Sequence, residues 1–169
     1  MNDVKVILRT PRLLLREFIV GDALNMFELN ADPVIIRFTG DEPFKSIEEA
    51  SALIKNYDQY RKHGYGRWTV LEEHSSEYVG WCGLNFNKES GETDLGFRFK
   101  RNAWGKGIAT EAATACVNYG FNELKLAKII GRAMKENRAS IRVLEKAGML
   151  FEKEFDAHGG KCIQLCKLR

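Results

Sequence analysis

The alternation of apolar and polar residues predicts a strand followed by a helix in the middle of the chain. In residues 93–100 apolar side chains alternate with polar ones at the two-residue period of a strand. From Ile108 the apolar side chains recur at helical spacing, at Ile108, Ala112, Ala115, Cys116 and Tyr119. A glycine-containing turn at residues 102–107 joins the two segments.

The same patterns divide the rest of the chain. The predicted strands cover residues 7–18 with a break at Thr10 and Pro11, then 67–72, 78–86, 93–100, 128–134, 151–155 and 162–167. Three other helices are predicted. The first starts at Asp22, the second starts at the Ser46/Glu49 capping box and ends near residues 63–66, and the third starts near Ala139. The helix from Asp22 should bury Leu24, Met26 and Phe27. The buried face of the helix from Ser46 should consist of Ala50, Leu53, Ile54 and Tyr57. Residues 34–44 have no clear period and predict a loop or irregular helix. This order predicts an α+β fold with helices on both faces of a mixed, mostly antiparallel sheet.

Composition narrows the class of protein. A chain of 169 residues with 44% hydrophobic content predicts one domain over residues 1–169. No apolar run is long enough for a membrane span, and residues 1–6 lack the apolar segment of a signal peptide, so we expect a cytoplasmic protein with four reduced cysteines. The net charge of +3 is too small to predict nucleic-acid binding.

The turn at residues 102–107 has the composition of an anion site. A helix N-terminus has free N–H groups and partial positive charge, and glycines let a phosphate approach. Lys100, Arg101 and Lys106 add cations. Neither the P-loop pattern nor GxGxxG is present, because Thr110 stands where the third glycine is required. The turn alone is therefore compatible with phosphate binding or with an ordinary tight turn.

Two separated segments give a more specific indication of which ligand the turn binds. Residues 96–112 (GFRFKRNAWGKGIATEA) and 137–149 (NRASIRVLEKAGM) resemble the acetyl-CoA-binding motifs of the GNAT superfamily of N-acetyltransferases. The WGKG and ATEA wording and residues 8–16 (LRTPRLLLR) are similar to the RimJ/RimL branch, which acetylates protein N-termini and other amines. The resemblance covers about residues 8–168.

The resemblance implies a coenzyme site. The strands at 93–100 and 128–134 would be parallel neighbours that splay apart, and the pantetheine arm would pair with the exposed backbone of Phe97, Arg98 and Phe99. The diphosphate would be held by Gly105, Lys106, Gly107, Ile108, Ala109 and Thr110. Asn137 would contact the cofactor or only cap its helix. Ser140 matches a serine proposed in the branch to protonate the departing thiolate, or it would stabilise that thiolate by hydrogen bonding.

Acetyl transfer requires a neutral amine. An α-amino group with a pKa of about 7.7–8.0 is far easier to deprotonate than a lysine at about 10.4, so a weak base is sufficient. Asp94 is the candidate base, at a position where the branch usually has glutamate; its shorter side chain favours action through a water. Glu92 is the alternative. Either carboxylate could instead pair with Arg98.

Other segments would form the acceptor site. In relatives, segments equivalent to those of Phe38, Tyr65, Trp68 and Trp81 line the acceptor cleft, although Trp68 and Trp81 could equally be core. The loop at 34–44, with Arg37, Asp41 and Glu42, is the expected specificity element. No metal site is expected, because Cys162 and Cys166 on one strand would lie about 13 Å apart.

The sequence thus predicts an N-acetyltransferase that uses acetyl-CoA and no metal. The acceptor would be a protein N-terminus or a small amine such as a polyamine, amino acid or antibiotic. A non-catalytic acyl-CoA-binding module is the main rival. Nucleic acid is not an expected partner, because no aromatic platform accompanies the basic residues 100–106. The oligomeric state is left open, with a homodimer as one option.

Overall fold

One mixed sheet organises the computed structural model, which describes residues 4–169. Residues 1–3, part of the segment considered above for a signal peptide, lie outside the described residues. The strands are β1 (Val6–Arg9), β2 (Leu13–Arg16), β3 (Arg67–Glu72), β4 (Tyr78–Asn87), β5 (Glu92–Phe99), β6 (Lys128–Met134), β7 (Leu150–Ala157) and β8 (Gly160–Leu168). Their order is β1-β2-β3-β4-β5-β6-β8-β7, and β5–β6 is the parallel pair. The predicted sheet is confirmed.

Helices lie on both faces of this sheet, as predicted. They are α1 (Ala23–Ala31), α2 (Pro33–Ile36), α3 (Ile47–Lys55), α4 (Gln59–His63), α5 (Ile108–Asn122) and α6 (Arg138–Lys146). Helix α5 packs on β4 and β5, while α1 and α3 pack together on the opposite face. None of the helices within residues 4–169 is long and apolar enough to cross a membrane.

The parallel strands β5 and β6 separate along their length. They are paired only at Asp94 with Ile130 and at Leu95 with Gly131. Beyond these positions β5 continues to Phe99, whereas β6 remains paired with β8 as far as Met134. The last residues of β5 therefore have an edge that β6 does not cover.

Two apolar clusters account for the burial pattern. The larger lies between α5 and the sheet and includes Leu13, Leu15, Leu84 and Cys116. The smaller one joins α1 to α3 through Ala23, Met26, Ala50 and Ile54. The prediction that Leu24 and Leu53 are buried is wrong, because they are 51% and 40% exposed. Leu24 lies on the solvent side of α1, whereas Leu53 faces a cavity described below.

Several predicted boundaries change. The helix expected between Ser46 and residue 63 is divided into α3 and α4 by residues 56–58. The capping box at α3 is half formed: Glu49 N–H donates to Ser46 Oγ (3.4 Å), but the Glu49 carboxylate accepts from Lys45 N–H. Strands β7 and β8 are longer than predicted and leave only His158 and Gly159 in their turn.

Asp22 precedes α1 as predicted, but its side chain does not cap the helix. Its carboxylate instead forms a buried double hydrogen bond with the Arg16 guanidinium, at 2.6 and 2.7 Å. It also accepts from Thr69 Oγ1 (2.7 Å) and from Ile19 N–H (3.0 Å). This network fastens the start of α1 to β2 and β3.

Replacing Asp22 with alanine should destabilise the fold by about 3–5 kcal/mol, because it leaves the Arg16 charge buried without a partner. Asp58→Asn, which breaks the exposed Asp58–Lys62 pair, should cost much less, because solvent screens a pair at the surface. Urea denaturation measures both. Equal losses for the two variants would contradict the structural role of Asp22.

Candidate active site

The uncovered edge of β5 presents backbone groups of Phe97 and Phe99. Lys100 N–H donates to Val79 O of β4 (2.9 Å). Hydrogen bonding alternates along an antiparallel ladder, so the backbone groups of Arg98 also face β4 and those of Phe97 and Phe99 face the open edge. The expectation that Arg98 offers its backbone to this edge is therefore wrong. Phe99 O already accepts from Trp104 Nε1 (2.9 Å).

The turn after β5 forms an open nest of N–H groups. Gly105 and Gly107 have φ values of +70° and +77°, in the left-handed region that favours glycine. Gly107 caps α5, and the Glu111 N–H donates to its carbonyl (3.0 Å) as the first turn of the helix closes. The N–H groups of residues 108–110 precede this bond and are the free donors of the helix N-terminus. All six predicted diphosphate residues, 105–110, therefore lie together in this nest.

Two of the three predicted cations are not free. Lys100 Nζ donates to Asn25 Oδ1 (2.8 Å), and Arg101 pairs with Asp32 (2.8 Å). Both hold the turn against α1 and the start of α2. Lys106 is exposed and forms no ion pair within residues 4–169.

Arg12 is a cation of the nest that sequence reasoning did not single out. Its Nη1 donates to Lys106 O (2.8 Å), and its Nε donates to Glu111 Oε2 (2.6 Å). Burial alone would raise the pKa of Glu111, but hydrogen bonds from Thr10 and Arg12 outweigh burial and lower it. Arg12 thus neutralises the negative charge of Glu111 in the first turn of α5. The TPR segment at residues 10–12 was part of the resemblance, but no pattern marked Arg12 itself.

Asn137 and Ser140 lie at the start of α6, which follows β6 on the splayed side of the sheet. Asn137 Oδ1 accepts from the Ser140 N–H (3.1 Å), so Asn137 caps the helix. The Ser140 side chain is half-buried, and its hydroxyl forms no hydrogen bond with the described residues. The capping alternative for Asn137 is confirmed, and the hydroxyl of Ser140 remains available.

Asp94 forms an ion pair with Arg67 of β3, not with Arg98. Arg67 Nη2 donates to Asp94 Oδ2 (2.5 Å), while Nη1 donates to the carbonyls of Asp94 (2.9 Å) and Gly83 (2.7 Å). Burial alone would lower the pKa of Arg67. The negative charge of the Asp94 carboxylate outweighs the effect of burial, so the pKa of Arg67 is raised. Arg67 is thus a fixed cation that joins β3, β4 and β5.

The Arg67 guanidinium lies directly on the backbone of β5. A Cβ at Gly96 would lie only 2.5 Å from Arg67 Cζ, so a larger residue there would displace the guanidinium. The guanidinium groups of Arg67 and Arg98 both lie over the Trp81 ring, 5.7 and 5.3 Å from its centroid. The Arg98 guanidinium also forms an ion pair with Asp41 (2.6 Å) and donates a hydrogen bond to Asn30 Oδ1. A layer of cations and aromatic surface therefore covers β5 where its edge opens.

Glu92 is held away from this layer. It contacts Lys128 (3.5 Å) and Arg132 (3.1 Å) of β6, next to the buried Gln164. Glu92 therefore belongs to a polar network on the β6–β8 side of the sheet, whereas Asp94 is bonded to a residue of the Arg67–Trp81–Arg98 layer.

A cavity of about 350 Å³ lies over the Arg67–Trp81–Arg98 layer, between the sheet and helices α1 and α3. Tyr57 contributes to its wall and accepts a hydrogen bond from the Arg67 N–H (2.7 Å). Burial raises the pKa of Tyr57, which keeps the hydroxyl protonated. The lining residues are Phe18, Met26, Leu29, Asn30, Asp41, Glu42, Phe44, Leu53, Tyr57, Arg67, Trp81 and Arg98.

Not every predicted acceptor residue lies at the cavity. Trp81 does, but Trp68 is 1% exposed and packs edge-on against Tyr119, so it is core. Tyr65 is also buried and is bonded to Thr93 (2.6 Å). Phe38 stacks under Arg37 on the loop and does not line the cavity. Of the loop at 34–44, Asp41, Glu42 and Phe44 line the cavity, whereas Arg37 does not.

Among residues 4–169 no group of three or more His, Cys, Asp or Glu side chains is placed to hold a metal ion. His158 instead packs against Gly40, where an added Cβ would lie 2.4 Å from Nδ1. Cys116 is buried in the core, as predicted, with its sulfur 3.6 Å from that of Cys82.

Comparison with known proteins identifies the fold. Residues 12–150 match the family model described as an acetyltransferase (GNAT) domain. The chain is 32% identical over 149 residues to the uncharacterized N-acetyltransferase p20 of Bacillus licheniformis, covering 87% of this chain and 83% of that protein. A GNAT-family acetyltransferase from Bacillus anthracis superposes with a TM-score of 0.81 at 27% identity, covering 98% and 97% of the two chains.

A further solved structure contains the coenzyme. The spermidine N-acetyltransferase of Vibrio cholerae, in complex with CoA and spermine, has a TM-score of 0.78 at 21% identity, over 94% of this chain and 96% of that one. This likeness concerns the fold, which in that protein binds CoA. The family match shows that the chain belongs to the GNAT family of acetyl-CoA-dependent N-acetyltransferases, and the open β5 edge and the glycine nest agree with it.

Proposed function

We propose that this enzyme transfers the acetyl group of acetyl-CoA directly to the α-amino group of a protein N-terminus, in the manner of the RimJ/RimL branch. The observation that supports the proposal is the position of the open β5 edge. The glycine nest lies at the end of this strand, and the Arg67–Trp81–Arg98 layer with its cavity lies over the same residues. A thioester held at the edge would therefore face the cavity.

The coenzyme would be held mainly by backbone groups. Phe97 and Phe99 face the splayed side and would pair with the pantetheine arm as a neighbouring strand does. Residues 105–110 would donate N–H groups to the diphosphate, with Lys106 and Arg12 supplying charge. Asn137 would act by fixing the start of α6, since its side chain is used in the cap.

Bound acetyl-CoA supplies the activated acetyl group. The amine nitrogen forms a C–N bond to the acetyl carbon, the C–S bond breaks, and the thiolate leaves with its electron pair. The neutral amine loses one proton in this exchange and the thiolate gains one. No residue of the protein becomes acetylated. The backbone N–H of Phe97 faces the open edge and would donate to the carbonyl oxygen as negative charge develops on it.

Proton transfer is assigned to two side chains. Asp94 is bonded to Arg67 and has a side chain 26% exposed, so it would accept the amine proton through a water and not by direct contact. Ser140, with its free hydroxyl, would donate to the thiolate from the α6 side. A fixed carboxylate acting through water suits an α-amine, which is nearly neutral at physiological pH.

A small-molecule amine is the second candidate acceptor, and one observation favours it. The cavity of about 350 Å³ is of the size that small ligands occupy. The Vibrio cholerae enzyme, in complex with spermine, shares the fold at an identity too low to transfer its acceptor to this chain.

The test is release of CoA thiol from acetyl-CoA across a panel of peptides and small amines, with mass spectrometry of the acetylated products. Incubation with host lysate and labelled acetyl-CoA would identify the natural acceptor. Tight acetyl-CoA binding without thiol release on any acceptor would contradict the proposal and support the non-catalytic binding module.

Asp94→Asn should reduce kcat by about 10- to 100-fold, because it removes the proton acceptor and keeps the size of the side chain. The loss should be greatest at low pH, where more of the amine is protonated, and acetyl-CoA affinity should not change. Glu92→Gln on the same strand is the matched control and should leave kcat unaltered. If the two variants have the same rate as the parent protein, Asp94 has no part in proton transfer.

A further inference from the structure

The helix side of the acceptor cavity is an apolar wall. Its members come from the segment before α1, from α1 itself, from the loop before α3 and from α3. They are Phe18, Met26, Leu29, Phe44 and Leu53. Trp81 faces them from the sheet. Six of the twelve lining residues are therefore aliphatic or aromatic.

Part of this wall is exposed, at Leu53, Phe18 and Phe44, whereas Met26 and Leu29 are nearly fully buried. The periodicity of α3 places Leu53 on the inner face of the helix, yet 40% of its surface is exposed because it faces the cavity. Phe18 and Phe44 are also only half-buried, although they pack on the smaller apolar cluster. Removing apolar surface from water is favourable, so an apolar group placed here would be bound favourably.

The charges at the cavity are mostly neutralised within the protein. Arg67 is paired with Asp94 and Arg98 with Asp41. Glu42 is the lining residue with a charge that forms no ion pair within residues 4–169. The cavity therefore has one free carboxylate for an amine and no free cation for a substrate carboxylate.

We infer that the preferred acceptor is a primary amine carried on a single large apolar group, with no free carboxylate and no second positive charge. The inference rests on the proposed acetyl transfer. The apolar group would occupy the wall around Leu53, and the amine would face β5. A polyamine is disfavoured because Glu42 is the lining carboxylate left unpaired within residues 4–169, and further ammonium groups would lie against Leu and Met side chains, where charge is costly. A free amino acid is disfavoured because its carboxylate would find both arginines occupied.

Two sources could supply this chemistry, a free arylalkylamine or a peptide that begins with a large apolar residue. Thiol release would be measured at saturating acetyl-CoA with 2-phenylethylamine, a Phe-initiated peptide amide, a Gly-initiated peptide amide, spermidine and free phenylalanine. We expect kcat/KM for at least one of the first two to exceed that for spermidine and free phenylalanine by about 10-fold or more. The ratio of the first two identifies the source.

The outcomes separate this inference from the proposed function. Turnover that is fastest with spermidine, with free phenylalanine or with the Gly-initiated peptide overturns the apolar acceptor but leaves acetyl transfer intact. Absence of thiol release with every amine, although acetyl-CoA binds, overturns the proposed function and the inference with it.

A pair of variants tests the wall directly. Leu53→Glu adds a charge to the cavity, whereas Leu24→Glu adds the same charge at an exposed position of α1 that does not line it. We expect Leu53→Glu to lower kcat/KM for 2-phenylethylamine or the Phe-initiated peptide by about 10-fold or more and to lower it less for spermidine. Leu24→Glu should leave both values unchanged. Equal behaviour of the two variants would overturn the assignment of the wall.

Discussion

Replacing Gly107 with valine is expected to weaken acetyl-CoA binding by about 10- to 100-fold, the equivalent of about one hydrogen bond to a charged group. Gly107 has a φ of +77°, a conformation that a β-branched residue avoids. Valine would therefore displace the backbone at the N-terminus of α5, where N–H groups converge. It would also place side-chain atoms where we propose that the diphosphate approaches. Isothermal titration with acetyl-CoA measures the loss.

Gly91→Val is the matched control for this experiment. Gly91 has a φ of +69° in the turn between β4 and β5, and a Cβ there would meet no atom within 4 Å. Both variants therefore carry similar backbone strain, and both should have a lower free energy of unfolding. Only the Gly107 variant should lose affinity for acetyl-CoA. A folded Gly107→Val protein with unaltered affinity would contradict the assignment of the nest.

Replacing Arg67 with methionine should reduce kcat by about 100-fold, while the affinity for acetyl-CoA changes little. Arg67 fixes the Asp94 carboxylate, contacts the β5 backbone at Gly96 and stacks on Trp81. Methionine has a similar volume but lacks the charge and the three hydrogen bonds. Steady-state kinetics with a reactive amine measures kcat and both KM values, and Arg67→Lys should recover part of the loss because it restores the charge.

A double variant distinguishes positioning from general damage to the fold. If Arg67 acts through Asp94, then Arg67→Met added to Asp94→Asn should cost much less activity than Arg67→Met alone, since groups that act as a unit are not additive. Full additivity of the two losses would instead mean that Arg67 acts independently of Asp94.

The fold was largely predictable because the local patterns agree with the tertiary structure. Polar and apolar residues alternate along β5, α5 has an apolar stripe, and the glycines at 105 and 107 both adopt positive φ in the turn that joins them. The predicted parallel pairing of β5 with β6 came from the resemblance. Nothing in the local periodicity distinguishes a parallel neighbour from an antiparallel one.

The side chains of the site were less predictable, because their roles depend on partners distant in sequence. Arg67 and Asp94 are 27 residues apart, and Arg12 and Glu111 are 99 apart. Periodicity assigned Leu53 to the inner face of its helix but could not show that the space opposite is a cavity. Trp68 and Trp81 looked equivalent in sequence, yet one fills the core and the other lies against two arginines.

The most direct test of the account is a crystal structure of the protein with coenzyme A. The account predicts that the pantetheine arm lies along the open edge of β5, bonded to the backbone of Phe97, and that the diphosphate is held by N–H groups of residues 105–110. The thiol should then point toward Arg67 and the cavity beyond it. Coenzyme A bound elsewhere, or a groove between β5 and β6 closed by side chains, would contradict it.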